Sequence, residues 1–228
     1  MRAALAGDAQ AAARAIEILR RTLDNIEPAE QPDLYRAGAM WLAEAYSKRE
    51  EAGDAQHAIE AYRAVSNLSD ARAHPVQVAH AHLRMGILHQ QLGRALKAEQ
   101  AERLVRAHAE LDHAEALYAT AQDTAGLAEV ALAKADAMRL LGGAQRAQDA
   151  ADLYVSAWDI LVREDAQEAL GNERYDAMLE HVQSSMHALD ALKFGPLRLR
   201  EVDEDPPAVE LERKGLLRRM RPRGTENR

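Results

Sequence analysis

AEALYATA, residues 114 to 121, repeats in outline at AIEAYRAV (58 to 65) and AADLYVSA (150 to 157): an alanine, a tyrosine four residues on, and a small aliphatic residue three beyond that. Residues three and four apart share one face of a helix, so each stretch predicts a small-large-small stripe. Ala58, Ala114 and Ala150 would let a neighbouring helix approach closely, and Tyr62, Tyr118 and Tyr154 would fill the space beside it.

Before each stripe runs a second helical pattern that ends in glycine. These are MWLAEAYSKREEAG to Gly53, VAHAHLRMGILHQQLG to Gly93, and LAEVALAKADAMRLLGG to Gly142 and Gly143. Glycine just past a helix adopts the left-handed conformation that closes it, so each unit reads as helix, tight turn, helix. The composition agrees: 47% of residues are apolar, only 4% are aromatic, and alanine and leucine favour helices over strands. Pro28, Pro32 and Pro75 fall between the periodic segments, where a helix can begin or end. The expected fold class is all-α.

The paired pattern resembles the tetratricopeptide repeat (TPR) family. Ala114 and Ala150 lie 36 residues apart, close to that family's period, and Gly86 and Ala135 stand where its first helix carries a small residue. AIEILRRTLDNIEP (15 to 28) resembles another second helix. The resemblance implies a solenoid of antiparallel helix pairs over residues 1–193, whose first helices line a concave groove. The stripes at 15, 58 and 114 are more widely spaced, and residues 94 to 123 hold neither glycine nor proline. A single helix of about 28 residues is expected there, roughly 42 Å long. RYDAMLEHVQSSMHAL puts Tyr175, Met178, Leu179, Val182, Met186 and Leu189 on one face, as a capping helix requires. Residues 194–228, acidic and then basic, read as a flexible tail.

Aligned on the terminal glycines, the outward positions of the first helices are Met40, Glu44, Ser47 and Glu51, then His80, Arg84, Ile87 and Gln91, then Glu129, Ala133, Asp136 and Leu140. Four carboxylates in such a groove predict a peptide or helix with basic residues as partner. The N-terminal helix, with Ile16, Ile18, Leu19, Leu23 and Ile26, carries an apolar arc wide enough to dock a second copy.

Other chemistry finds little footing. There is no cysteine, no glycine-rich phosphate loop and no Gly-x-Ser-x-Gly, so no catalytic residue is expected. The alternative reading is a helical-bundle enzyme or metal-binding protein. Nine histidines include no His-x-x-x-His, and ELDH (Glu110 to His113) is the only Glu-x-x-His, so neither a metal nor another cofactor is expected. The net charge of −8 argues against nucleic acid. With no long apolar run, no membrane contact is expected and the chain is read as cytoplasmic. The function expected is a scaffold or regulatory interaction module.

Overall fold

The computed structural model describes residues 2–49, 51–163 and 166–193, and among these it contains helices and connecting turns with no strand. The helices are α1 (Arg2–Leu23), α2 (Pro32–Arg49), α3 (Asp54–Leu68), α4 (Pro75–Ala95), α5 (Gln100–Ala121), α6 (Thr124–Leu141), α7 (Ala144–Leu161), the short α8 (Ala166–Leu170) and α9 (Asn172–Lys193). The expected tail, 194–228, lies outside the described residues.

Local chemistry sets the boundaries. Pro32 and Pro75 open α2 and α4, where a missing N–H costs nothing. Asp123 caps α6, its carboxylate accepting from the Gly126 N–H at 2.9 Å. Gly53 (φ 90°), Gly142 (φ 70°) and Gly143 (φ 91°) take backbone angles that disfavour a side chain, and each sits at a turn between paired helices.

Packing follows chain order from α1 to α7, with α9 closing on α7 and α4 also touching α6. Three apolar clusters succeed one another. The first joins α1 to α4 around Tyr62 and Ile59. The second joins α4, α5 and α6 around Leu111 and Tyr118. The third joins α6 to α9 around Tyr154, Leu161 and Val182. Tyr62, Tyr118 and Tyr154 are all buried, and the four innermost apolar residues of α9 (Met178, Val182, Met186 and Leu189) are buried as well.

Two expectations need correcting. Gly93 does not end its helix: it is buried inside α4, where a side chain would meet Arg103 Cβ at 3.3 Å, so it permits close approach rather than a turn. The chain from 94 to 123 is not one helix. It leaves α4 at Leu96 (φ −109°, ψ 78°), makes a 3-10 turn over Lys97–Glu99, and starts α5 at Gln100. Because α4 continues past Gly93 and α5 starts afresh, this pair is built of 21 and 22 residues, against 18 and 15 for α2 and α3. That added length accounts for the wide spacing between the stripes at 58 and 114.

Close packing yields a direct test. Gly126 lies in the first turn of α6, and a Cβ there would sit 2.3 Å from the Tyr118 ring. Alanine normally favours a helix over glycine, but here it must displace a ring that is only 3% exposed. Gly126→Ala should therefore destabilise the fold by about 1–3 kcal/mol in urea unfolding; a stabilised variant would mean the ring is not seated on α6.

Candidate functional site

The outward faces of α4 and α6 enclose a cavity of about 390 Å³. His80, Arg84, Ile87 and Gln91 line it from α4, and Glu129, Ala133 and Asp136 line it from α6. The expected groove positions on these two helices thus converge, except for Leu140. A second cavity of about 350 Å³ adjoins the first, with His80 and Arg174 in both walls, and Met40 of α2 lines it beside Tyr118. Glu44, Ser47, Glu51 and Leu140 line neither. Ser47 turns its hydroxyl back to the Ala43 carbonyl at 3.0 Å. Glu51 is exposed in the turn after α2, 3.4 Å from Arg49. The Leu140 carbonyl accepts from Gln100 Nε2 at 3.2 Å.

The groove acids are engaged rather than free. Tyr62 Oη donates to Glu44 at 2.8 Å, and Tyr154 Oη donates to Asp136 at 2.5 Å. Burial pushes both phenols up to about 12, so they remain neutral donors. Asp136 also accepts from His181 Nε2 of α9 at 3.1 Å, with Arg139 at 3.5 Å. Burial acts to raise the Asp136 carboxyl, but these donors hold it below the usual carboxylate range. Glu129 pairs with Arg174 of α9.

Cations supply the rest of the wall. Arg84, Arg94 and Arg174 line the larger cavity against Glu129 and Asp136, three positive groups to two negative. Neither Arg84 nor Arg94 forms an ion pair among the described residues, and Arg84 Nε is buried without a hydrogen-bond partner. Burial opposes the Arg84 charge, but the Tyr62 hydroxyl and the Glu44 and Glu129 carboxylates more than offset it. His80, by contrast, is held below its ordinary value mainly by burial and adds no charge at neutral pH. The expected negative groove is corrected accordingly: Glu44, Asp136 and Glu129 are engaged by the tyrosine tips and α9, Glu51 lies by Arg49, and three arginines line the larger cavity.

The glycine alignment also misplaced one register. It matches Glu44 with Ala133, whereas Glu44 and Asp136 are the equivalent groups, each bonded to the tyrosine 18 residues later. The shared acid-to-tyrosine spacing was visible in the sequence. Arg174 had no such signal, since only tertiary packing brings α9 to this wall.

Comparisons with protein-family models, with curated proteins and with solved structures gave no match. Among the described residues, no helix is long and apolar enough to cross a membrane.

Proposed function

We propose that this chain is a TPR-like helical repeat that acts without catalysis, as an interaction module for a peptide or helix of another protein. The observation that carries the reading is the convergence of α4 and α6 side chains on one open cavity, lined by the apolar Leu83, Ile87 and Leu132 together with Arg84, Arg94 and Arg174. Three apolar clusters in chain order, with α4 and α6 each contributing to two, support the solenoid, because each repeat buries its core against its neighbours.

The charge arrangement favours a segment that brings an acidic group to Arg84 and Arg94 and an apolar side chain to Ile87. A basic segment would have to displace the tyrosines, His181 or Arg174 from the acids they already hold. Pairing an acid with a part-buried arginine that has spare donors replaces water with a charge-assisted hydrogen bond and fixes the register of the bound segment.

An array of peptides of varied charge, probed with the purified chain, tests this. Acidic-apolar peptides should be selected, and Arg94→Glu should weaken them about tenfold through like-charge repulsion. Ile87→Glu should abolish binding while circular dichroism stays helical. Selection of basic peptides, or equal binding to both variants, would overturn the groove assignment.

A further inference from the structure

On the opposite side of α4 from the groove, His82 meets Glu110 and His113 of α5. The three side chains offer ligand atoms that all lie within 4.8 Å of one another. We propose that these residues form a binding site for a divalent transition ion of the zinc class. Nδ1 of His82, a carboxylate oxygen of Glu110 and a ring nitrogen of His113 are its ligands, and water fills the fourth position.

The helices place the donors. Glu110 and His113 are three residues apart on α5, so they present to one face. His82 comes from the facing helix, at a separation set one turn further on by Gly86, where a Cβ would meet Leu111 at 2.8 Å and the Ala107 carbonyl at 3.2 Å. His82 Nδ1 already lies 2.6 Å from Glu110 Oε2, and the His82 and His113 rings are edge to face at 5.2 Å. Two donors about 2.1 Å from a tetrahedral ion stand about 3.4 Å apart, so the His82–Glu110 contact has to open and the wider separations to close, both by small side-chain rotations. His113 is exposed and free to make them, and its exposure opens the site to solvent.

The second ring nitrogen of His82 is also committed. It lies 2.9 Å from Ser66 Oγ of α3. In the structure the 2.6 Å contact has Nδ1–H donating to the Glu110 carboxylate; binding an ion would release that proton and leave Nε2–H donating to the Ser66 hydroxyl, which is how a hydrogen bond on one ring nitrogen selects the other for a metal. Two imidazoles and one carboxylate are a donor set that zinc accepts, with three protein ligands leaving one open position. Successive residues of a helix are 100° apart, so His82 lies far round α4 from Arg84, and the ion would not touch the groove. The inference stands or falls independently of peptide binding.

The test uses the full chain, stripped with a chelator and titrated with Zn²⁺ by calorimetry, with Co²⁺ absorption as a geometric probe. Saturable uptake of one ion per chain and a tetrahedral Co²⁺ spectrum are expected. Ser66→Ala retains all three ligands and should weaken binding about tenfold by releasing the His82 ring. His82→Gln and the exposed His113→Gln should weaken it further, whereas His187→Gln, on exposed α9 surface, should not. No uptake up to millimolar Zn²⁺, or uptake indifferent to Ser66, His82 and His113, would overturn the site and leave a hydrogen-bonded bridge between α3, α4 and α5.

Discussion

Tyr118→Ala is expected to cost about 3–5 kcal/mol of folding free energy, measured by urea unfolding at neutral pH. The ring is 3% exposed and belongs to the cluster that joins α4, α5 and α6. Truncation leaves a cavity against Gly126, which has no side chain to lean into it, so collapse is poor and the cavity contribution stays large. The hydroxyl should matter much less here than in the neighbouring repeat. Among the described residues Tyr118 Oη makes no side-chain hydrogen bond, whereas Tyr154 Oη donates to Asp136 at 2.5 Å. Tyr118→Phe should be close to neutral, and Tyr154→Phe should cost about 1–2 kcal/mol by depriving a part-buried carboxylate of its donor. If Tyr118→Ala left the unfolding midpoint unchanged, the middle cluster would not hold these helices together.

The same residues show what could be read before folding. The alanine and tyrosine stripe was legible because it needs only helical periodicity and the contrast between a methyl group and a ring. The second faces of α4 were not. Val78, Ala81, Met85 and Leu88 are buried at three-four spacing, yet Ala79, Leu83, Gly86 and His89 are buried too, because α4 is wedged between two clusters. A one-sided pattern presumes one neighbour, and α4 has several. The turn at Leu96 to Glu99 was hidden for a different reason: it uses neither glycine nor proline. The groove positions on α4 and α6 were legible as outward faces. Their charge was not, because its balance depends on Tyr62, Tyr154, His181 and Arg174, three helices of the chain reaching acids that sequence alone leaves bare.

His89 should make the fold sensitive to acid. The ring is 2% exposed and its Nδ1 is buried without a partner. Burial, reinforced by Arg103 and Arg106 of α5 and Arg63 of α3 and opposed by Glu110, pushes it down to about 4. In the unfolded chain the same imidazole titrates near 6.5. Between those values the unfolded state binds a proton that the folded state refuses, so stability rises with pH across the window and is lost as pH falls from about 6.5 toward 4. Each pH unit inside it is worth about 1.4 kcal/mol, which gives a loss of about 2 kcal/mol between pH 7.5 and pH 5 from this one ring. His80, also held low mainly by burial, acts in the same direction. His181 has the opposite sign. The hydrogen bond to Asp136 raises it, so its contribution is complete below about 6.5 and is lost as pH rises through its folded value. His89→Leu removes the titrating group and the unpartnered nitrogen while nearly keeping the volume, so at pH 7.5 it should change stability by less than about 1.5 kcal/mol. At pH 5 the variant should have gained about 2 kcal/mol on the parent chain, seen in paired urea titrations at the two pH values. Curves that stay parallel for parent and variant would show that His89 accepts its proton in the folded state, and that the α4–α5 contact around it admits water.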